Sequence, residues 1–314
     1  MKAVISNEYG PVEVLHCQET EPPAMADDEL LVRVHACSVN PVDWKIRKGD
    51  VKLLTGRRPP VILGGDYAGV VAQRGKRVTN YAVGNRVWGM VNAFKGGTYA
   101  EWVTVKEEEI GLMPGNLGFE EAASLPLVAL TAYQSLVYKG RLQRGDHVMV
   151  NGCSGGVGLA GVQIAKAKGC EVTGVCGTRN LELARKMGAD HVLDYTTVDI
   201  LKDKGAYDIF FDAVANQSFS RAKGTLKPRG AYVTTLPSFQ SMVLGPLINM
   251  FSTRKVQSIL VKPSSGDLNT LKEMVEEGDL VPVVEEVYPL EKVREAHTRS
   301  ETGRVTGKIV LRVD

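Results

Sequence analysis

The sequence lacks the features that mark several specialised classes of protein. Its five cysteines form no Cys-x-x-Cys pair, and their odd number argues against a disulfide scaffold, so we expect buried, reduced thiols. No apolar run reaches the roughly 18 residues that a membrane-spanning helix needs. The net charge is only +2, which gives no strong attraction to nucleic acid or to an anionic membrane. We therefore predict that the protein neither binds nucleic acid nor inserts into a membrane.

The N-terminal segment also lacks a targeting signal. "MKAVISNEYG" predicts a strand and a turn, without the apolar core of a signal peptide or the Arg- and Ser-rich pattern of a transit peptide. We therefore expect a cytoplasmic protein. The composition, 44% hydrophobic and 24% charged, is ordinary for a globular protein, and a length of 314 residues suits about two domains.

Two kinds of secondary structure follow one another along the chain. The first 120 residues are rich in short predicted strands separated by glycine and proline turns. From Phe119 onward helices and apolar strands alternate, including a strand over 146–152 and a helix that ends at Gly169. This alternation predicts an α/β fold with a Rossmann-type, doubly wound parallel sheet covered on both faces. The C-terminal tail, which predicts helix, strand, helix and strand, can return to the first domain.

A glycine-rich loop, "NGCSGGVG", lies between the strand 146–152 and the following helix. Its glycines at 152, 155 and 158 are spaced three apart, one residue longer than the G-x-G-x-x-G pattern of dinucleotide sites. Gly155 and Gly156 let the backbone approach a pyrophosphate, and Gly158 lets the helix pack against the strand. The helix N-terminus adds free N–H groups and a partial positive charge. In this context we predict a dinucleotide site, and a tight turn without a ligand is the alternative.

The end of the next strand indicates which dinucleotide is bound. NAD-binding loops place an Asp or Glu about twenty residues further on, but here the strand ends "VCGTRN", without an acid. A carboxylate would repel a 2′-phosphate, whereas the Arg179 guanidinium and the Thr178 hydroxyl would bind it. The pattern favours NADPH over NADH, and Tyr195 is a second candidate for the phosphate. A solvated Arg179 at the start of a helix is the alternative.

Five segments resemble the medium-chain dehydrogenase/reductase superfamily. They are "SVNPVDWKIRKG" (38–49), "GGDYAGVV" (64–71), "LPLVALTAY" (125–133), the glycine loop and "GRVTGKIVL" (303–311). The resemblance covers nearly the whole chain and implies a β-rich, GroES-like catalytic domain over 1–123 with 264–314. It also implies a Rossmann dinucleotide-binding domain over 124–263. "NPVDWKIRKG" is most similar to the plant chloroplast-envelope quinone oxidoreductase homologues and related enone reductases.

The zinc ligands of the alcohol dehydrogenases in that superfamily are absent. Asn40 stands at the position of the first zinc cysteine, and Gly65 and Asp66 replace the His and Glu of the Gly-His-Glu motif. The four-cysteine structural zinc lobe is also missing, because no cysteine lies between positions 37 and 153. A tetrahedral zinc site requires thiolate and imidazole ligands, and the pair of His35 and Cys37 is not a site. We therefore predict no metal, which places the chain in the zinc-free quinone oxidoreductase branch.

The resemblance implies a reduction that needs no metal. Hydride addition to a C=C bond conjugated to a carbonyl moves charge to the oxygen, where hydrogen-bond donors stabilise it, and a proton then reaches the α-carbon. Quinones are doubly activated enones, so we expect an NADPH-dependent reductase of small hydrophobic quinones or α,β-unsaturated carbonyls. The alternatives are a non-enzymatic NADPH-binding redox sensor or crystallin-like protein, and an enoyl reductase that acts on a carrier-bound thioester.

The resemblance also implies a set of catalytic candidates. The Asn40 amide can hydrogen-bond the cofactor or the substrate, and Asp43 orients the loop or pairs with Lys45. Lys45 stands where bacterial and crystallin-type quinone oxidoreductases carry a tyrosine; it is a proton donor, an oxyanion partner or a surface lysine. Tyr67 and Tyr99 either present hydroxyls to the site or pack in the core.

The cofactor candidates follow from the glycine loop, the strand ends and two family segments. Ligands of such sheets bind beyond the carboxyl ends of the strands, so the strand ends "DAVA" (212–215), "TLP" (235–237) and "SILV" (258–261) are expected to line the cofactor site. Thr131 resembles the family position near the nicotinamide ribose, and Lys308 lies in a segment that approaches the nucleotide. The predicted set is Thr131, Gly152, Ser154, Gly155, Gly156, Val157, Gly158, Gly177, Thr178, Arg179, Tyr195, Ala215, Leu236, Leu260 and Lys308.

Two further predictions concern assembly and substrate. The strand "KVQSILVK" is expected at the edge of the sheet, and two such edges join across a two-fold axis in this family, so we expect a homodimer. Segments 45–60 and 238–256 are expected to shape the substrate site. The apolar "SFQSMVLGPLINMF" suits either a pocket or lid for a hydrophobic substrate or a helix packed on the sheet.

Overall fold

The computed structural model describes residues 1–52, 56, 59–92, 94–236 and 245–313, and for residues 246 and 247 only the backbone. Residues 53–55, 57–58 and 237–244, which belong to the segments predicted to shape the substrate site or to the predicted strand end "TLP", lie outside the described residues. The chain divides into two compact units. The first comprises Met1–Leu127, Lys262–Glu276 and Pro282–Asp314, and the second comprises Val128–Val261 and Glu277–Val281.

Strands and helices have the following bounds. The strands are β1 (Lys2–Ser6), β2 (Leu15–Glu19), β3 (Glu29–Val39), β4 (Val61–Ile62), β5 (Asp66–Arg74), β6 (Arg86–Met90), β7 (Trp102–Lys106), β8 (Ile110–Leu112), β9 (His147–Asn151), β10 (Glu171–Cys176), β11 (His191–Asp194), β12 (Tyr207–Asp212), β13 (Leu226–Thr234), β14 (Lys255–Ser258), β15 (Val284–Pro289) and β16 (Lys308–Arg312). The α-helices are α1 (Pro41–Lys48), α2 (Phe119–Ala123), α3 (Pro126–Tyr133), α4 (Gly156–Ala167), α5 (Leu181–Lys186), α6 (Phe219–Ala222), α7 (Gly245–Phe251), α8 (Ser265–Glu276) and α9 (Val293–Glu301). A π-helix spans Gln134–Lys139, and short 3₁₀ turns span Val12–Val14, Glu107–Glu109, Thr178–Asn180 and Leu290–Lys292.

The first unit is built mainly from antiparallel strands. One sheet has the order β15-β16-β3-β5-β6-β8, with β7 also paired to β3, and a second has the order β2-β1-β4. The alternation predicted in "ELLVRVHAC" is present in β3, where Leu30, Val32 and Val34 are buried in the core of this unit. β16 pairs antiparallel with β3, so the C-terminal strand completes the sheet that the N-terminal part of the chain begins.

Helix α1 has clear local causes, although the sequence analysis used its residues only as a family motif. Asn40 precedes a proline at the first helical position, and the Asp43 carboxylate accepts the Asn40 backbone N–H at 2.8 Å. Gly49 ends the helix with a left-handed φ of 82°. The segment "NPVDWKIRKG" therefore encodes a capped helix, and the signals for both ends were present in the sequence.

The second unit contains the parallel sheet predicted from the alternating pattern. Its order is β11-β10-β9-β12-β13-β14, and every neighbouring pair is parallel. The chain runs outward from β9 to β11 on one side and from β12 to β14 on the other. The order therefore reverses between β9 and β12, and ligands of such sheets bind outside the carboxyl ends of the strands at this point. The glycine loop follows β9 directly.

Several element boundaries differ from the predictions. The strand predicted over "RKVQSILVK" is limited to β14, which does lie at an edge of the sheet. The helix expected to begin at Asn180 begins one residue later, because a 3₁₀ turn occupies Thr178–Asn180. Within the described ranges, no helix combines the length and the apolar character that a membrane crossing requires.

Candidate active site

Asn40 is the centre of a buried polar cluster in the first unit. It follows the last residue of β3 and is only 1% exposed. Its side-chain nitrogen donates to the Asp66 carboxylate at 2.8 Å, and its side-chain oxygen accepts from the Lys308 ammonium at 2.5 Å. The Asn40 amide is therefore bonded at both ends to neighbouring charged side chains.

Asp66 and Lys308 form the ion pair of this cluster. Asp66 is fully buried, and its carboxylate also accepts the Ser38 hydroxyl at 2.5 Å and the Leu127 N–H at 2.6 Å. The Lys308 ammonium lies 3.6 Å from the Asp66 carboxylate and donates to the Val39 carbonyl at 3.0 Å. Burial lowers the pKa of Lys308, although the neighbouring carboxylates oppose that shift. The structure thus places Lys308, predicted to approach the nucleotide, beside the catalytic candidate Asn40.

Asp43 is fully buried next to this cluster. One carboxyl oxygen, Oδ2, accepts both the Asn40 N–H at 2.8 Å and the Tyr99 hydroxyl at 2.9 Å. The other, Oδ1, has no hydrogen-bond partner among the described residues. Burial raises the pKa of Asp43 to about 7, so this carboxyl group titrates near neutrality. Of the two roles predicted for Asp43, its hydrogen bonds with the Asn40 backbone and the Tyr99 hydroxyl favour orientation of the loop over pairing with Lys45.

Lys45 and Tyr67, the other two catalytic candidates, have different surroundings. Lys45 is half-buried on α1, with its ammonium 5.5 Å from the centre of the Trp44 ring. Tyr67 is fully buried, and its hydroxyl donates to the Glu109 carbonyl at 3.0 Å. A phenol has one hydrogen to donate, so Tyr67 has none left for a substrate oxygen, and the structure gives it a packing role.

The residues around Asn40 do not fit a zinc ion. In the part of the chain that the structure describes, no group of three or more His, Cys, Asp and Glu side chains is arranged to hold a metal. Asn40 and Asp66 already bind an ammonium group, and a divalent cation beside it would meet strong repulsion. The donor set also lacks the thiolate and imidazole groups that a tetrahedral zinc site uses.

The glycine loop of the second unit is a tightly packed turn between β9 and α4. Gly152 has a φ of +82°, and a Cβ on it would lie 2.3 Å from the Val214 side chain. A Cβ on Gly158 would lie 2.1 Å from the Gly152 carbonyl oxygen, so the first turn of α4 approaches the loop too closely for any side chain. These two glycines thus allow the tight turn and the close packing of the helix on the strand, whereas a Cβ on Gly155 would meet only the Gly152 carbonyl oxygen at 3.8 Å, so the loop is open at Gly155. The loop therefore fits the predicted dinucleotide.

The middle of the loop is partly open to solvent. Gly155 is the N-cap of α4, and Ser154, Gly155, Gly156 and Val157 are each half-buried. The N–H groups of the first helical turn have no partners within the helix, and the helix dipole adds partial positive charge there. This end of α4 is suited to an anionic group.

A buried polar cluster lies at the carboxyl ends of β9 and β12. It includes Asp212, the first residue of the strand end "DAVA" that is predicted to line the cofactor site, and Asn151, which is not among the predicted site residues. Asn151 ends β9 and Asp212 ends β12, and the two are directly paired in the register of the sheet. The Asn151 side chain donates to Asp212 at 2.8 Å and to Asn216 at 2.8 Å. Asp212 also accepts the Tyr232 hydroxyl at 2.8 Å and the Gln217 N–H at 2.9 Å. A polar residue directly after each buried apolar run was the signal available in "VMVN" and "IFFD".

The end of β10 contains the residues predicted to select the cofactor. Gly177 is half-buried, Thr178 and Arg179 are exposed, and the Tyr195 side chain lies close enough to Gly177 that a Cβ there would be 3.2 Å from its hydroxyl. The structure adds one acid, Asp194, which the register places beside the end of β10. Its carboxylate accepts the Thr178 hydroxyl at 2.5 Å, and this bond lowers the pKa of Asp194.

The remaining cofactor candidates are scattered over the second unit. Thr131 is 5% exposed on α3, and Ala215 has a positive φ of 53°, which is uncommon outside glycine. Leu236 and Leu260 follow β13 and β14 and are about half exposed, at 49% and 57%. All of the predicted cofactor residues except Lys308 therefore belong to the second unit, and the predicted catalytic residues belong to the first.

The two halves of the chain match known families. Residues 26–115 match the alcohol dehydrogenase GroES-like domain, and residues 187–311 match a family described as zinc-binding dehydrogenase. The second description contrasts with the residues around Asn40, which do not fit zinc.

Whole-chain relatives give a consistent assignment. A chloroplastic quinone-oxidoreductase homologue of Spinacia oleracea is 31% identical over 99% of this chain and 98% of its own. A mitochondrial NAD(P)H oxidoreductase of Homo sapiens is 34% identical over 100% of this chain and 89% of its own. The solved structure of the quinone oxidoreductase from Coxiella burnetii has a TM-score of 0.92 at 30% identity, covering 100% of this chain and 99% of that one. The chain therefore belongs to the quinone oxidoreductase family of the medium-chain dehydrogenase/reductase superfamily.

Proposed function

We propose that this protein is an NADPH-dependent, zinc-independent reductase of quinones or α,β-unsaturated carbonyls. The glycine loop carries this proposal, because it joins β9 to the N-terminus of α4 where the strand order reverses, and it is open at Gly155, which suits a pyrophosphate. The names of the relatives support it: those described above are called quinone-oxidoreductase and NAD(P)H oxidoreductase.

Residues of the second unit would hold the cofactor. The N–H groups of the first turn of α4 would bind the pyrophosphate. The 2′-phosphate of the adenosine would be bound by Thr178, Arg179 and Tyr195. When bound, the nicotinamide supplies a hydride to the acceptor. The tight packing of Gly158 against Gly152 keeps the loop in the conformation that admits the phosphates.

Residues of the first unit would stabilise the negative charge that forms on the substrate and would supply the proton. Reduction of an enone or quinone places negative charge on an oxygen, which a cationic or hydrogen-bonding group stabilises. Lys45 is the half-buried ammonium proposed for this task, since both ends of the Asn40 amide are already bonded. Asp43 and Tyr99 can hold and pass a proton next to this cluster.

The proposal is tested by cofactor binding and turnover with the purified protein. NADPH fluorescence titration, with NADH in parallel, measures binding; 9,10-phenanthrenequinone and a short vinyl ketone are then added while cofactor absorbance is followed. We expect tight NADPH binding and oxidation by at least one acceptor, unchanged after dialysis against a chelator. Absence of NADPH binding, or activity lost with the chelator and restored by zinc, would contradict the proposal.

One observation favours the alternative of an NADPH-binding protein without turnover, such as a redox sensor or crystallin-like protein. Asn40 and Lys308 bind each other, and this leaves the polar cluster of the first unit largely self-contained. Tight NADPH binding with no oxidation by either acceptor would favour this alternative. The cytoplasmic location expected from the sequence stays a prediction.

The Arg179→Ala variant tests the cofactor preference. Removing a guanidinium from a phosphate contact is expected to raise the Kd for NADPH at least about tenfold and to leave the Kd for NADH nearly unchanged. Arg185→Ala, which removes an exposed arginine from α5, is the matched control. Wild-type protein that prefers NADH would instead assign Asp194 to the ribose hydroxyls.

The exposed edge of the parallel sheet supports a homodimer. Among the described residues, β14 has a strand neighbour on one side only, and an unpaired edge readily accepts a second copy of itself. Light scattering after gel filtration at micromolar concentration is expected to give about twice the chain mass of 34.1 kDa. A single monomeric peak would exclude the dimer under those conditions.

A further inference from the structure

A chain of hydrogen bonds leads from the surface of the first unit to Asp43. Arg47 is 1% exposed, and its guanidinium forms an ion pair with Glu301, which also binds the exposed Lys48. The same guanidinium lies 3.1 Å from Nδ1 of His297. Nε2 of His297 lies 3.2 Å from the Tyr99 hydroxyl. Tyr99 in turn donates to Asp43. This series of hydrogen bonds therefore connects α9, α1 and the loop before β7.

The direction of every bond in this chain is fixed by the chemistry of the groups. A guanidinium can only donate, so Nδ1 of His297 must be the acceptor and carries no hydrogen. The neutral imidazole then carries its hydrogen on Nε2 and donates it to the Tyr99 oxygen. The single Tyr99 hydrogen is left for Asp43. The order of donation is therefore Arg47 to His297, His297 to Tyr99, and Tyr99 to Asp43.

We propose that His297 is a positioning residue: held in one tautomer by Arg47, it orients the Tyr99 hydroxyl and thereby fixes the side chain and the protonation of Asp43. This inference rests on the proposed function, because Asp43 matters only where a proton is handled. His297 itself has no bond to Asn40 or Lys308 among the described residues. It acts through Tyr99.

The surroundings of Asp43 explain why its protonation needs such control. The groups that face it are the Asn40 N–H, the Tyr99 hydroxyl, the Lys308 ammonium, the Asp66 carboxylate and the Cys37 thiol. Burial and Asp66 favour the protonated form, whereas Lys308 and the two hydrogen bonds favour the carboxylate. The opposing effects bring the pKa of Asp43 to about 7. Because Oδ2 already accepts two hydrogen bonds, the proton belongs on Oδ1, which has no partner among the described residues.

His297 stays neutral over the same range. Burial and the adjacent Arg47 charge lower the pKa of His297 to about 3. The hydrogen bonds from Arg47 through His297 to Tyr99 therefore keep the same donors and acceptors while Asp43 gains or loses its proton. A donor with fixed direction at Tyr99 stabilises the carboxylate more than the acid, so the chain lowers the pH at which Asp43 ionises.

The Tyr99→Phe variant breaks the chain without leaving a cavity. We expect kcat/KM of the wild type to fall as the pH rises through about 7, the value given for Asp43, and the falling limb of Tyr99→Phe to lie about one pH unit higher. Tyr81→Phe is the matched control, because it also removes a buried tyrosine hydroxyl, but one that donates to the Ile110 backbone carbonyl at 2.8 Å and not to Asp43. Its pH profile should superpose on that of the wild type. In His297→Ala the pH at which kcat/KM falls should also rise. In His297→Gln, whose side-chain amide can accept from Arg47 and donate to Tyr99, that pH should return to the wild-type value.

A spectroscopic measurement tests the chain independently of turnover. In protein labelled with ¹⁵N-histidine, His297 is assigned by comparison with His297→Gln. We expect a neutral imidazole with hydrogen on Nε2 from pH 5 to 9. In protein labelled at the aspartate carboxyl carbon, one signal that is missing from Asp43→Asn should titrate near pH 7.

The outcomes separate this inference from the proposed function. If the protein turns over no acceptor, the NMR signals of His297 and Asp43 still test the inference by themselves. A protonated His297, hydrogen on Nδ1, or no aspartate titration near neutrality would overturn it. So would a Tyr99→Phe profile that superposes on the wild type.

Discussion

Replacing Gly158 by alanine is expected to weaken NADPH binding by at least about 100-fold, a loss of roughly 2.7 kcal/mol. The new Cβ would lie 2.1 Å from the Gly152 carbonyl oxygen and 2.7 Å from its carbonyl carbon. Both atoms are backbone, so no side chain can turn away, and the loop or the first turn of α4 has to shift. Fluorescence titration with NADPH measures the loss.

Gly224→Ala is the control for this variant. Gly224 lies in the same unit, and the nearest atom to its added Cβ is a flexible lysine carbon at 3.6 Å, so its NADPH affinity should equal that of the wild type. Circular dichroism establishes whether Gly158→Ala keeps the secondary structure. A folded Gly158→Ala protein with unchanged NADPH affinity would show that the glycine loop is only a tight turn.

Replacing Lys308 by methionine is expected to lower the free energy of unfolding by about 3–5 kcal/mol. Methionine keeps much of the side-chain volume but removes the ammonium that lies between the Asn40 oxygen and the Asp66 carboxylate. Asp66 is fully buried and would be left as an uncompensated charge, although the Ser38 hydroxyl and the Leu127 N–H still bind it. Urea denaturation measures the difference.

Two further variants identify the cause of that loss. Combining Lys308→Met with Asp66→Asn removes both charges, and most of the lost stability should return because no lone buried charge is left. Lys272→Ala, which removes an exposed ammonium paired with Glu276 within α8, should cost no more than about 0.5 kcal/mol. A Lys308→Met protein as stable as Lys272→Ala would show that the buried ion pair contributes nothing.

The parts of the fold with strong local signals were predictable. The glycine loop has its strand, its turn and its helix between His147 and Ala167, and the alternation of helices with apolar strands predicted the parallel sheet. Helix α1 was not predicted, but the segment "NPVDWKIRKG" contains both its N-cap, Asn40, and the glycine that ends it, Gly49. In each case the residues that determine the structure are close together in the sequence.

The contacts within the polar clusters were not predictable, because they join residues that are far apart in the sequence. The register of β16 with β3 pairs Ile309 with Val39, and this places Lys308 beside Asn40 although 268 positions separate them. Asp194 shows the same effect on a smaller scale. The end of β10 has no acid in its own sequence, and the pairing of β11 with β10 places the Asp194 carboxylate there.

The two hydrogen bonds of the Tyr99 hydroxyl, one to Asp43 and one from His297, join two groups whose pKa shifts affect the pH dependence of stability in opposite directions. The unfolded chain has ordinary values, 3.8 for the aspartate and 6.5 for the histidine, so between these pH values it holds the proton on His297. The folded protein, with a pKa of about 7 for Asp43 and about 3 for His297, holds it on Asp43. The contribution of Asp43 to stability falls as the pH rises through this window, and the contribution of His297 rises. In the middle of this window the proton that folding adds to Asp43 is matched by the proton that it removes from His297, so the pair gives the free energy of unfolding little dependence on pH there.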